Sequence, residues 1–292
     1  MRIDLHTHSR VSDGTQTPAE LVAAARAAGL DVLALTDHDT AAGWDEAADA
    51  ARRVGIELVR GMEISTTHHG HGVHLLAYLP DPTYPPLAAE LDAVLAGRRD
   101  RVPEMLTRLR GLGIEIDADD VARAAHGTAA TGRPHVADAL VTLGVVADRT
   151  EAFDRFLAWG RPAHVERYAA GLVDVLGHVR AAGGVSVIAH PWGRSRRRFP
   201  DHGDLVELKA HGLAGIEVDH QDHDAPTRAE LRALAHQLDL VVTGSSDHHG
   251  AGKLDHELGV NTTSPEQYAR LLDLAAIASA RSGRPTPEVV RP

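Results

Sequence analysis

His6-Thr7-His8 sets two imidazoles two residues apart. On a strand, alternate side chains point the same way, so both rings could reach one metal ion. Asp247-His248-His249 repeats the arrangement near the other end of the chain, with Asp247 and His249 on one side. Between them lie further residues of ligand type: Asp13 in Ser12-Asp13-Gly14, His38 in Thr36-Asp37-His38-Asp39, Glu63 after Gly61-Met62, His74, His190 before Pro191, and Glu217. Singly, each has an ordinary explanation. Asp-Gly is a common turn, and a lone His in an apolar strand is more often a core residue. Acids such as Asp39 are common before a helix, while Asp37 could orient an imidazole. His68, His69 and His71 read as surface residues of a glycine-containing loop.

The surroundings of these residues change that balance. Seven short apolar runs (residues 2–5, 32–35, 57–59, 73–77, 185–189, 215–218 and 240–243) each contain or precede a ligand-type residue. Short apolar runs ending in turns read as buried strands. A barrel of parallel strands builds one site from distant segments by placing reactive side chains at strand C-termini. Nine candidates then converge: His6, His8, Asp13, His38, Glu63, His74, His190, Asp247 and His249. That number suits three ions with open positions. The chain has no cysteine, and neutral imidazoles with carboxylates suit manganese best, with iron or zinc as alternatives. A buried Glu63 could bridge two ions. Closely spaced ions activate water and clamp phosphoryl oxygens, so a metal-dependent phosphoesterase is expected, with Asp247, His249 and Arg133 in catalytic roles. The general acid is open between His249, His220 and water.

Helices alternate with strands over residues 1–80 and again over 170–292, the α/β signature. Thr17-Pro18-Ala19-Glu20 is a capping box with proline at the first helical position. Thr40 is expected to cap a helix ending near Gly55, and Ser264 another. Residues 81–169 break the alternation and are expected to form a helical, substrate-capping insertion. It would comprise one long helix over 86–112 bent at Pro103, and helices near 119–125, 134–143 and 151–158. Residues 282–292 are rich in proline and arginine and are expected to be loose. Within the insertion, Gly132-Arg133-Pro134-His135 combines a guanidinium suited to phosphate with a proline that starts a helix, whose N-terminus attracts anions.

Net charge is −11. Duplex nucleic acid normally wants a basic face, so the expected partner is a small phosphorylated substrate, a nucleotide or short oligonucleotide. No signal-peptide pattern or run of membrane-spanning length occurs, so a soluble cytoplasmic protein with no membrane partner is expected. With 3% aromatic residues, Trp44, Tyr78, Trp159, Tyr168 and Trp192 are the candidates for stacking a base.

Leu5-His6-Thr7-His8-Ser9, Ser12-Asp13-Gly14, Thr36-Asp37-His38-Asp39, Gly61-Met62-Glu63, His74, His190-Pro191 and Ser246-Asp247-His248-His249 together resemble the PHP (polymerase and histidinol phosphatase) family. The resemblance implies a distorted (β/α)7 barrel with a trinuclear metal centre. The stand-alone branch, which the Asp13 turn and the Arg133 motif resemble, implies hydrolysis of the 3′-phosphate of nucleoside 3′,5′-bisphosphates and trimming of short RNA from its 5′ end. It also implies one ion on His6, His8, Glu63 and Asp247, a second on Glu63, His74 and His190, and a third on Asp13, His38 and His249, with Arg133 and His135 holding substrate phosphate. Histidinol phosphatases often carry His in place of Asp13, which speaks against that activity. His248 stands where the branch commonly has an aromatic residue, so either His248 or His249 is the last ligand, with the spacing favouring His249. A small-molecule phosphomonoesterase and a non-catalytic metal-binding module are the remaining readings.

Overall fold

The structure is a computed structural model that describes residues 1–193 and 198–292. The seven apolar runs all form strands: β1 (Ile3–Thr7), β2 (Val32–Leu35), β3 (Glu57–His68), β4 (His71–Tyr78), β6 (Val185–Ile188), β7 (Leu213–Asp219) and β8 (Val241–Gly244). A two-residue β5 (Ala170–Gly171) pairs with β3 off the main path. β1, β2, β6 and β8 are buried along their whole length, which explains their continuous apolar character, since both faces of the sheet are covered. The sheet order is β1-β2-β3-β4-β6-β7-β8. His8 N–H donates to His248 O at 2.9 Å, and Thr7 pairs with His248. The sheet therefore curls until its two edges meet, giving a distorted barrel.

The expectation that all the ligand-bearing strands run parallel is corrected. β4 is antiparallel to both β3 and β6. β3 runs on well past Val59, through Glu63, and turns back at once as a hairpin. His74 thus reaches the barrel mouth from the first half of its strand, because a reversed strand begins where its neighbours end. Gly215 allows β7 and β8 to approach: a Cβ there would lie 2.6 Å from Val241 O.

The helices are α1 (Pro18–Ala27), α2 (Trp44–Val54), α3 (Pro85–Asp100), α4 (Val102–Gly111), α5 (Ala118–Ala125), α6 (Arg133–Thr142), α7 (Arg149–Ala152), α8 (Leu172–Ala181), α9 (His202–Ala210), α10 (Ala225–Gln237) and α11 (Pro265–Ser282). α7 runs into a wider π turn over Phe153–Leu157. The Thr17 capping box forms, and Ser264 accepts from Gln267 N–H. Thr40 does not cap α2: its hydroxyl accepts from Ala42 N–H, and the helix starts after Gly43. The expected long helix over 86–112 is two helices. Pro103 would clash with the Arg99 carbonyl in a continuous helix, so the chain breaks at Arg101 and Pro103 falls in the first turn of α4, where proline is tolerated.

α3 packs Leu87, Leu91 and Val94 into the barrel's own core. A separate core forms further on from Met105, Leu109, Val136, Leu140 and Leu157. Among the described residues, no helix is long and apolar enough to cross a membrane.

The C-terminal tail is anchored, against expectation. Val290 is buried and exchanges both backbone hydrogen bonds with Leu58, and Arg284 Nε donates to Asp81 at 2.8 Å. Two backbone bonds, one ion pair and a buried valine together suggest about 2–4 kcal/mol. Truncation after Gly283 should lower the urea-unfolding free energy by that amount. An unchanged midpoint would mean that the tail contributes nothing.

Candidate metal centre

Glu63, 1% exposed, is the meeting point of the barrel mouth. Its Oε1 lies 2.6 Å from His74 Nδ1 and 3.0 Å from His190 Nε2. Its Oε2 lies 3.1–3.3 Å from His8 Nε2, His6 Nε2 and His38 Nδ1. Asp247 Oδ1 faces the same nitrogens of His6 and His8, at 3.4 Å each. On the far side Asp13 approaches His249 Nε2 at 3.3 Å and His38 Nε2 at 3.6 Å.

All nine sequence candidates thus fall in one connected cluster. Ligand atoms group as His6, His8, Glu63 and Asp247; as His8, Asp13, His38 and His249; and as His38, Glu63 and His74. His8 and His38 each take part in two groups, a sharing absent from the sequence reading. His6 Nε2 and His8 Nε2 are 3.0 Å apart, and both also face two carboxylate oxygens. Four lone-pair-bearing atoms turned on one point suit a cation better than they suit one another, so the donor set fits divalent metal.

Local chain geometry sets each donor. Asp13 rides on a tight loop: a Cβ on Gly14 would lie 2.3 Å from His8 O, so only glycine lets the loop fold back over His8. His6 Nδ1 lies 3.3 Å from Glu217 Oε1, which also accepts from Ser245 Oγ, while Glu217 Oε2 accepts from His190 N–H at 2.8 Å. With the His6 proton held at Nδ1, Nε2 turns its lone pair to the cluster. Asp247 Oδ2 accepts from Lys253 Nζ at 2.5 Å and lies 3.3 Å from His220 Nε2. Asp222 N–H donates to His220 Nδ1, which fixes the tautomer that donates to Asp247. Lys253 and the positioning role of Glu217 were missed from sequence, Lys253 because nothing in its local motif marks it.

Asp37 touches no imidazole, contrary to expectation. It accepts from Ser9 N–H, Ser9 Oγ and Ser12 Oγ, so it fixes the loop instead, and Ser12 in turn stands 3.4 Å from His8 Nδ1. Asp39, expected as a solvated helix-start acid, is fully buried and pairs with Arg98 at 2.6 Å and Ser65 N–H at 2.6 Å. His248 turns away, to His256 O and Gln16, leaving His249 beside Asp13. Trp44 and Tyr78 are buried with their polar atoms bonded to Gly61 O and Leu5 O, so neither is placed to stack a base.

The comparisons with known proteins agree with this geometry. A model of the PHP domain matches residues 4–130. A 5′-3′ exoribonuclease from Haemophilus influenzae is 38% identical, over 85% of this chain and 90% of its own. A 3′,5′-nucleoside bisphosphate phosphatase from Chromobacterium violaceum is 36% identical, over 88% and 90%. The chain belongs to the PHP family. A crystal structure from Bifidobacterium adolescentis, described as that of a metal-dependent phosphoesterase, superposes with a TM-score of 0.89 at 37% identity, covering 93% of this chain and 96% of that one. The protein is accordingly a hydrolase of the PHP phosphoesterase class.

In this PHP protein His135 differs from its expected role. Its Nδ1 accepts from Gly132 N–H at 3.1 Å, and its Nε2 reaches Ser12 O at 3.0 Å. With both ring nitrogens engaged, the buried ring ties the insertion to the Asp13 loop instead of offering a donor to phosphate. Arg133 heads α6, with its guanidinium 5.5 Å over the Phe153 ring. Nearby is a set of cations that local sequence did not flag, because they are spread over residues 98–167. Arg101 is buried and its Nε has no hydrogen-bond partner. Burial, with the charges of Arg133, Arg167 and Arg98, pushes its guanidinium down to about 8. A guanidinium nevertheless keeps its proton, so the crowding marks a concentration of positive charge that Asp39 only partly offsets.

Burial works to raise the Glu63 carboxyl, yet the imidazoles of His74, His38 and His6 hold it well below the usual carboxylate range. Burial works against charge on His8, but Asp247 and Glu63 outweigh it and hold its imidazole at about 9. Asp247, Glu63 and Glu217 likewise raise His6 well above its usual value against burial, so without metal this pair of imidazoles carries at least one extra proton at neutral pH, which must leave when an ion binds. Affinity should rise by about tenfold or more per pH unit between 7 and 9, tenfold being the slope for release of one proton. Calorimetry in buffers of differing ionisation enthalpy should detect the release, and pH-independent affinity would refute it. Glu217→Gln, which disturbs the support of His6 and His190, should weaken metal binding by about 10–100-fold. Unaltered affinity would show that Glu217 does not orient these rings.

Proposed function

We propose that the protein removes the 3′-phosphate from nucleoside 3′,5′-bisphosphates and also trims short RNA from the 5′ end, using three divalent ions, with manganese the best fit. The observation that carries this reading is the arginine set beside the donor cluster. Asp39 follows His38 directly and holds Arg98. The Gly132 turn that starts α6 lies against Arg98 and Arg101: a Cβ there would meet their guanidinium nitrogens at 3.7 and 3.5 Å. A substrate with one phosphate needs only the donor cluster. A second, strongly cationic site close by, where Arg98, Arg101 and Arg167 gather about Asp39 with Arg133 beside them, suits a substrate with two. The two curated relatives described above, named for a bisphosphate phosphatase and an exoribonuclease, support a nucleotide phosphoester as substrate.

In this reading His6, His8, Glu63 and Asp247 hold one ion, Glu63, His74 and His190 a second, and Asp13, His38 and His249 a third. When bound, such ions activate water and neutralise charge on the phosphoryl oxygens. The chain's own part is orientation. Glu63 keeps two oxygens turned to separate groups of imidazoles, and Glu217 and His220 fix the rings and Asp247 so that little reorganisation accompanies reaction. Arg133 and Arg101 grip the remote phosphate bidentately and hold the scissile one over the donors, which is where positioning contributes to rate. Divalent metal also offsets the net negative charge of the chain near the anionic substrate.

Phosphate release by manganese-loaded protein should strongly favour adenosine 3′,5′-bisphosphate over 5′-AMP and histidinol phosphate. Arg101→Ala and Arg133→Ala should each lower kcat/KM for the bisphosphate by about 10–100-fold, the value of a charge-assisted contact, with much smaller effects on a simple monoester. Equal or better turnover of a monoester would overturn the substrate assignment while leaving the metal chemistry intact. A short 5′-phosphorylated RNA assayed alongside should also be shortened, and resistance of every oligonucleotide would remove the RNA-trimming part.

A further inference from the structure

We propose that the protein carries a second, separate divalent-cation site, made by His68, His69 and Asp204, where the tip of the β3–β4 hairpin meets the start of α9. The sequence presents these histidines as solvated loop residues, but His68 is only 6% exposed. His68 Nε2 stands 3.8 Å, and His69 Nε2 3.7 Å, from the same oxygen, Asp204 Oδ1. The two rings lie 4.0 Å apart at 40°, tilted and not stacked flat. All three ligand atoms fall within 4.8 Å of one another.

Two further observations point to a ligand. His68 Nε2 is buried and has no hydrogen-bond partner, which is rare for a polar atom in a folded interior. Asp204 divides its carboxylate: Oδ2 accepts from Asp201 N–H at 2.9 Å in the capping box of α9, and Oδ1 is turned to the two imidazoles. Burial and the neighbouring His69 lower the His68 pKa, which keeps the ring in its neutral, ligating form.

Two imidazoles and one carboxylate suit zinc or nickel and not magnesium or calcium, which want oxygen donors. Ligand bonds of about 2.0–2.1 Å at tetrahedral angles set donors roughly 3.3 Å apart, so each imidazole need approach the Asp204 oxygen by only about half an ångström to close on an ion. His69, with its side chain 60% exposed, leaves the remaining coordination positions open to water and gives the ion a way in. The site is distinct from the main centre: His68 lies five positions beyond Glu63 on β3, about 16 Å at strand rise. It joins β3, which carries Glu63, to the helix that follows the His190 segment. A cation here would clamp two pieces of chain that both supply the main centre.

The test is zinc content per full-length chain after equilibrium dialysis at buffered free zinc, for wild type, His69→Ala, Asp204→Asn and His74→Ala. Asparagine keeps an oxygen for the capping bond, and His69 is exposed, so both variants should fold, as circular dichroism would verify. His69→Ala and Asp204→Asn should each bind one zinc fewer than wild type while retaining manganese-dependent activity. His74→Ala, altered only in the main centre, should keep that equivalent. Cobalt substitution gives an independent reading: the visible absorption of low-coordinate cobalt should be weaker in His69→Ala than in wild type by the share of one ion, with that of the main centre retained. Wild-type zinc content in both His69→Ala and Asp204→Asn would overturn the site, as would an unchanged cobalt spectrum.

Discussion

A carboxylate that is almost wholly buried and surrounded by five imidazoles cannot be left to chance by the fold. Glu63 is that group. Its desolvation is affordable only because opposite or polarisable partners reach both of its oxygens. Those partners come from β1, β4 and the turns after β2 and β6, so the barrel must close far enough to bring them together. The backbone bond from His8 to His248 across the seam, with Thr15 N–H to His249 O and Thr263 N–H to Ile3 O beside it, is thus a condition of the site. It brings His6 and His8 beside Asp247 and completes the ring of donors about Glu63.

Around this centre the charges are arranged in tiers. The donors facing inward are backed by groups that leave one side committed and the other turned to the cluster. Glu217 takes the Nδ1 side of His6, Lys253 and His220 take Oδ2 of Asp247, and serines take Asp37. Positive charge is gathered on the insertion side, where Arg98 is paired with Asp39 while Arg101 and Arg167 crowd beside it. A chain with net charge of −11 thereby presents concentrated cation density at the edge of its reactive mouth. That layout focuses an anionic substrate locally without making the whole surface basic.

Much of this was legible in the residues themselves. Strands with both faces buried announce themselves as apolar runs, and donors next to them are few enough to notice, which is why His6, His8, His190 and Asp247 stood out. What was not legible depends on direction and on distance in the chain. A reversed strand has the same composition as a parallel one, so the antiparallel setting of β4 was invisible, as was the sharing of His8 and His38 between groups. Arg98, Arg101 and Arg167 are far apart in sequence and become a set only when α3, α4 and the following loop are placed. His135 misled for the opposite reason: its motif looks like a phosphate cradle, but a helix N-terminus also needs a cap, and the ring takes the Gly132 N–H.

That correction changes what the helical insertion does. It has its own core, yet it grips the Asp13 loop at three points. His135 Nε2 reaches Ser12 O, Arg149 Nη1 donates to Asp13 O at 2.8 Å, and Thr128 Oγ1 donates to Val11 O. Arg149 is itself held by a bidentate pair with Asp138 on α6, the same helix whose first residue is Arg133. The N-terminus of α6 and the backbone of Asp13, on the side of the cluster shared with His38 and His249, are therefore tied by hydrogen bonds. The insertion is better understood as part of the scaffold of the reactive mouth than as a detachable cover. The hydrogen bonds that fix the start of α6 and those that fix the Asp13 loop belong to one connected set, so the placement of the Asp13 carboxylate depends on the packing of the insertion.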